Sequence, residues 1–541
     1  MATAIKRINI YEQDLTTAAR AEDSLDVVYI PGLFGVSSIA TEEGVTPPEG
    51  RDQAGFDSWW NVGDRFCNIA DKRMWVCKSV KIEPREATDE AVTSETTDTN
   101  STEEASENTV LDTYIYSWRE VTYVEPKITD PAEYTEFTML PPELYIDAAK
   151  FTEAYGASYR NEIVGNDSNT HSHQLGSSVE YALGIINAGL PVLYHCGVKY
   201  EEDTYDDIDG TPICTFYQMT ATADDILSAM EDEKFFEPML DYNDFEVKFI
   251  TTGAHAPVIW SDPDDSDSED TYPQLNKTVI LNMIKAAATR GDALAMIDGW
   301  DEQSVSDTKT DLYTLLTEAG PWKNGEYAAA FAPWAHYVTT TSTDVLFPAS
   351  YGYLIAYANS IKTNGSALAI AGVTRGRISD LKSLSLQPTE KLSNAIADSW
   401  QDIDSSVCVN GITYIRNYGY CLWGNRTLHD NSEETGSNGL VDTSFLSIRV
   451  MLCDLKKRLR NIAVRLLFEQ NNDVLWGKFL FGVVPVLERL KGIAAISNYK
   501  IIHVPTDDKT KLKAVIKLTT VKPLEQIEIG IVMVDDVVEV Q

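Results

Sequence analysis

The sequence predicts an α/β protein of several domains, and three observations carry that prediction. At 541 residues and 43% hydrophobic composition, the chain holds enough apolar material for about two to four cores. Between residues 181 and 365, short apolar runs alternate with helix-length segments, the pattern of a mainly parallel sheet. Beyond residue 400 a strand-like stretch, two long helices and a run of strands follow as a block, which reads as a separate α+β unit.

The elements follow in order. YALGIINAGLPVLYHCG (181–197) reads as a helix ended near Gly189, then a buried strand with Pro191 at its start. FEVKFITTG (245–253) is a short strand with a glycine turn, and NKTVILNMIKAAATRGDALAMIDG (276–299) is an amphipathic helix, a turn at Arg290-Gly291 and an apolar strand. AAAFAPWAHYV (328–338) is a short apolar element interrupted by Pro333, and YGYLIAYANSIKTNG (351–365) is a helix ended by Asn364-Gly365. GITYIRNYGYCLWGNRTL (411–428) is strand-like. DVLWGKFLFGVVPVLERLKG (473–492) is a second helix, kinked near Pro485. YKIIHV, KAVIKLTTV, EQIEIGIVMV and DVVEV then read as strands. The polar, acidic stretches 84–112, 261–273 and 429–439 bury too little area to offset their ordering entropy and read as exposed loops or insertions.

Charge sets the C-terminal block apart. The chain carries a formal −39, yet from Thr443 to Phe468 six basic residues (Arg449, Lys456, Lys457, Arg458, Arg460, Arg465) stand against Asp454 alone, a net +5 that leaves about −44 elsewhere. So local an inversion implies an acidic surface opposite this helix. At roughly 100° per residue, Ile448, Leu452, Leu455, Leu459, Ile462 and Leu466 form one apolar stripe. Arg449, Lys456 and Arg460 flank it, Lys457 lies opposite, and Arg458 and Arg465 take the far flank. The stripe is expected to pack inward and the basic arc to face outward as a docking surface. The remaining acidity, with a pI near 4.4, argues against direct nucleic-acid binding. No apolar run reaches the length of a membrane span, and the N-terminus lacks the apolar core of a secretory signal, so membrane insertion is not expected. Seven cysteines, scattered and without C-x-x-C, fit reduced thiols in a cytosolic assembly compartment.

Catalytic chemistry finds little support. Asp298 closes a parallel strand, where α/β proteins place ligands, but an Asp there more often caps a turn. There is no phosphate loop, no dinucleotide fingerprint and no nucleophile elbow. His171 and His173 lack a third ligand at metal spacing. The nearest calcium-loop match puts Tyr205 at the first position and Phe216 at the last, too poor a fit. No catalytic residue, metal or cofactor is expected.

The C-terminal motifs resemble those of contractile-tail sheath proteins. That family has a strand ending in W-G-x-R-T-L, matched by Trp423, Gly424, Arg426, Thr427 and Leu428. An arginine-rich helix follows, then an F-E-x-N-[ND]-x-x-L-W segment, matched by Phe468, Glu469, Asn471, Asn472, Leu475 and Trp476. A final P-x-E-x-I-x-I pattern is similar to Pro523, Glu525, Ile527 and Ile529. Upstream, VVYIPGLFGVSS, INAGLPVLYHCG (Ala188 replacing a glycine), ATRGDALAMIDG and FAPWAHYV resemble further family segments. The family's proline-rich element is not matched in residues 341–400. The matches span roughly two thirds of the chain, in the family's order.

The resemblance implies a central subtilisin-like α/β domain without protease chemistry (136–400) and a C-terminal α+β sheath domain (401–534). It also implies an N-terminal region (26–135, with the insertion 84–112) and strand-forming arms (1–25 and 535–541) that pair with neighbouring subunits. It implies a virion tail subunit, assembled in the host cytoplasm as hexameric rings stacked around an inner tail tube protein, with a baseplate and a tail terminator as further partners. Contraction drives the tube through a target envelope. Arg449, Lys456, Lys457 and Arg460 are then expected to face the tube. For Arg426 two readings stand: its guanidinium satisfies groups inside the fold, or it serves a ring-to-ring contact. A sheath of a cellular injection machine shares these motifs. A cytosolic α/β hydrolase, the reading from another class, needs a nucleophile–base pair that the sequence does not show.

Overall fold

The computed structural model describes residues 26–34, 38–54, 60, 64–85, 111–156, 177–206, 212–241, 244–261, 272–301, 303–318, 324–339, 344–364, 367–386, 400, 407–429, 442–506 and 510–524. Both expected arms, His171, His173, Glu525, Ile527, Ile529 and residues 86–110, 262–271 and 430–439 of the acidic stretches lie outside the described residues.

A nine-stranded sheet forms the body of this mixed α/β protein. Its strands are β1 (Val27–Leu33), β2 (Thr138–Met139), β3 (Glu143–Tyr145), β4 (Val192–Val198), β5 (Val247–Ile250), β6 (Leu294–Asp298), β7 (Ala328–Ala332), β8 (Val409–Ile415) and β9 (Gly419–Trp423). They lie in the order β9-β8-β7-β6-β5-β1-β4-β2, with β3 also on β4. Every pairing from β4 through β8 is parallel, as the alternation of helix and strand predicts. Strands covered on both faces become continuous apolar runs rather than alternating ones. VLYHCGV, LAMID and AAAFA are accordingly buried at every position.

Helix α1 (Ser178–Ala188) starts at Ser177, whose hydroxyl accepts from Glu180 N, and ends at Gly189 with φ 101°. Helix α2 (Lys277–Arg290) is capped by Asn276 and ends at Gly291 with φ 73°. Helix α3 (Ala349–Asn364) packs on α1 and on the sheet. A second, seven-stranded sheet surrounds the buried aromatics Trp60, Phe66, Trp75, Tyr116 and Phe216. Its long hairpin Arg73–Arg85/Leu111–Val121 brackets the acidic insertion, whose ends 84–85 and 111–112 are paired strand rather than loop.

The C-terminal layer holds helices α4 (Leu446–Val464) and α5 (Asp473–Gly492) and the antiparallel hairpin β10 (Ile496–Val504)/β11 (Lys513–Thr520). The predicted apolar stripe of α4 lies in the cluster that joins these elements, with Ile448 and Leu455 buried and Leu452, Leu459, Ile462 and Leu466 packed around them. Helix α5 keeps the predicted limits, with Pro485 inside it.

Two expectations change. GITYIRNYGYCLWGNRTL is not one strand but the hairpin β8/β9, turned through Asn417 (φ 73°) and Gly419 (φ 86°). That hairpin extends the central sheet, with β8 parallel to β7. The sheet therefore crosses two expected boundaries, taking β1 from 26–135 and β8 and β9 from 401–534. Among the described residues no helix is long and apolar enough to cross a membrane.

Candidate functional site

Helix α4 runs beneath the N-terminal ends of four parallel strands, and each of those strands is preceded by an acid. Asp26 directly precedes β1 and Glu246 directly precedes β5; Asp292 and Glu326 stand two residues before β6 and β7. The basic face of α4 meets this row. Arg449 lies 4.2 Å over the Tyr327 ring and 3.8 Å from Glu326. Lys456 donates to the Gly291 carbonyl at 2.6 Å, and Arg460 donates to Asp292 Oδ2 at 2.6 Å. Lys457 donates to the Glu246 and Val247 carbonyls, both at 2.9 Å.

Beside Lys457 lies a buried ion cluster. Lys248 Nζ sits 2.5 Å from Asp26 Oδ1, 2.5 Å from Asp454 Oδ1 on α4 and 2.5 Å from the Tyr357 hydroxyl on α3. Burial opposes the Lys248 charge, but the two carboxylates outweigh it and hold its pKa above the ordinary lysine value. For Lys457, burial and the nearby Lys248 outweigh the opposing pull of Asp292 and Asp454 and lower the pKa to about 8.

The expected outward arc is therefore corrected. Arg449 is 4% exposed and Lys457 0%, and both serve the chain's own fold. Only Lys456, Arg465 and, in part, Arg458 and Arg460 reach solvent. The acidic surface implied by the charge inversion lies within the same molecule. Lys457 does lie opposite the apolar stripe, but that side is covered too, because α4 packs against the helix–hairpin cluster on one side and the strand starts on the other. The partner acids Asp26, Glu246, Asp292 and Glu326 were missed, although an acid one or two residues before each parallel strand is visible in the sequence.

The Trp423–Leu428 motif joins the sheet to α4. Asn410 on β8 accepts from Arg426 N and donates to the Arg426 and Ala330 carbonyls, all within 3.0 Å. Asn425 Oδ1 accepts from Ser447 N, supplying from a distance the cap that Phe445 lacks. Thr427 bonds Thr443 and Ser444, and Leu428 is fully buried. Arg426 is 2% exposed, its guanidinium 4.3 Å over the Phe445 ring, so in the subunit it lies inside the fold. In the second motif Asn472 caps α5 through Leu475 N, Trp476 stacks on Phe479 and His503, and Glu469 pairs with Lys478. Asn471 donates to the Lys511 carbonyl, whereas Phe468 is 97% exposed with φ 67°.

Asp298 acts as a cap. Its Oδ1 accepts from Ser350 N at 2.9 Å at the start of α3, and burial raises its pKa to about 7. Among the described residues no group of three His, Cys, Asp or Glu is placed to hold a metal.

A scan against protein-family models finds no match, and a search of curated proteins finds none. Among solved structures, the chain is similar to a chain of the anti-feeding prophage baseplate, with 15% identity over 82% of this chain and 99% of that one and a TM-score of 0.43. The anti-feeding prophage helical sheath in its contracted state is similar over 75% of this chain and 91% of that one, with 14% identity and a TM-score of 0.40. Its fold is likewise similar to the contracted sheath of an extracellular contractile injection system, PVC, with 13% identity over 76% of this chain and 90% of that one and a TM-score of 0.44.

Proposed function

We propose that this chain is the structural, non-enzymatic subunit of a contractile sheath, polymerising as stacked hexameric rings around an inner tube and shortening to drive that tube through an envelope. The observation that carries the reading is the ordered set of sheath-like motifs, whose residues form built joints: Asn425–Leu428 lock the sheet to α4, and Asn471 and Trp476 lock α5 to the hairpin. On this reading the central sheet is the subtilisin-like domain, residues 1–25 and 535–541 are the exchanged arms, and baseplate and terminator proteins bound the polymer in a virion tail. A tube contact through α4 falls to its solvent-reaching basic residues, Lys456, Arg458 and Arg465. Reversing Lys457 would test folding rather than tube contact.

Negative-stain microscopy of the purified chain tests the reading. Cross-striated tubes or stacked rings are expected; discrete small oligomers or monomers under every salt condition would overturn it. If rings form, Arg458→Glu with Arg465→Glu is expected to leave the subunit folded and to block polymerisation around its tube.

A further inference from the structure

The C-terminal hairpin carries a charge pattern that the described residues only partly compensate, through the Lys522–Asp442 pair. Its described residues, 496–506 and 510–524, include Lys500, Lys511, Lys513, Lys517 and Lys522 and no acid. Lys500 on β10 lies directly opposite Lys517 on β11, and like charges directly opposite each other destabilise a strand pair. Alternation puts Lys513 on the same face, around Ile502 and Val515. The other face, with Tyr499, Ile501, Ile516 and Leu518, packs against the helices. All three lysines are exposed, and among the described residues none has an ion pair.

The charge is segregated on a larger scale too. Residues 442–524 hold fifteen Lys and Arg against seven Asp and Glu, a net +8 that leaves −47 for the rest of the chain. One described stretch of that acidic remainder is a compact ridge. Glu231, Asp232, Glu233, Glu237, Asp241 and Asp244 are all exposed, and Lys234 is the one base among them. Lys285 neutralises Glu233 in part.

We propose that the outer face of the hairpin, through Lys500, Lys513 and Lys517, is a subunit-docking surface that takes the Glu231–Asp244 ridge of a second copy of this chain. Carboxylates from the neighbour would relieve the Lys500–Lys517 repulsion, and Ile502 and Val515 would lose water between them. Basic face and acidic ridge are different surfaces, so the contact is head-to-tail and repeats in one sense, as rings and helical filaments require. The proposal rests on the sheath reading for its homopolymer and adds the surface that closes it.

The test uses the full chain in sedimentation velocity and negative stain at about 50 mM and about 500 mM salt, since screening at the higher value weakens exposed pairs. Lys500→Glu with Lys517→Glu keeps a like-charge pair across the hairpin, so thermal unfolding should not change. Both that variant and Glu233→Lys with Glu237→Lys should raise the concentration needed for assembly about tenfold or more. Combining all four substitutions should restore assembly. Wild-type-like assembly of either variant, or no recovery in the combination, overturns this contact while leaving the sheath reading intact. A wild-type chain that stays monomeric at both salt concentrations overturns both.

Discussion

Lys248 is buried among two carboxylates and a tyrosine hydroxyl, and that makes it costly to remove. Lys248→Met leaves Asp26 and Asp454 together with no counter-charge, which costs about 3–5 kcal/mol and should lower the urea midpoint sharply; an unchanged midpoint would mean the cluster is wet. Asp298 behaves in the opposite sense. Its folded pKa of about 7 stands above the ordinary 3.8, so the folded state binds the extra proton and stability falls as pH rises between those values. Asp298→Asn should match wild type in thermal unfolding at pH 4 and exceed it by a few degrees at pH 8. Equal melting at both pH values would show that burial does not hold the carboxyl neutral. Little of this was legible beforehand. The sequence displays charge but not which side of a helix is covered, and a buried lysine reads the same as a surface one.

At the scale of elements, helix and strand limits followed from local chemistry. Gly189 and Gly291 stop their helices because a left-handed residue is needed there, and Ser177 and Asn276 start them. The β8/β9 hairpin reads in the sequence only as a strand-like stretch because Asn417, Tyr418 and Gly419 interrupt an otherwise apolar-aromatic run for just three residues. The partition of elements between sheets was hidden as well, since strand pairing between residues 330 and 409 leaves no local signal. Helix α4 relies on Asn425 for its N-terminal amides, so Asn425→Ala should destabilise the protein by about 1–2 kcal/mol in urea titration. Asn425→Asp should recover much of that loss, because a carboxylate oxygen can accept the same amide.

For the whole molecule, the charge inversion that first suggested a partner protein is met mainly from within. The acids before β5, β6 and β7 take up Arg449, Lys456, Lys457 and Arg460, directly or through the backbone beside them, and what remains basic sits on the hairpin and the outer flank of α4. Assembly should consequently be salt-sensitive while subunit stability is not, because the internal pairs are largely buried and the hairpin lysines are exposed. Raising salt from about 50 to about 500 mM should disperse polymers without shifting the thermal unfolding of the dispersed subunit. Loss of both together would place the inner row in water.

The ion cluster of Asp26, Lys248 and Asp454 also imposes an order of events during synthesis. Its members are separated by 222 and about 206 residues of chain, and the ribosome delivers them from the N-terminus onward. Asp26 and Lys248 can meet early, but neither β8 nor α4 exists until nearly the whole body has emerged. The strand starts of the central sheet stay uncovered until then, and the hairpin emerges later still. A nascent subunit therefore has no finished basic face to offer a neighbour, so on the sheath reading polymerisation waits until the subunit is folded.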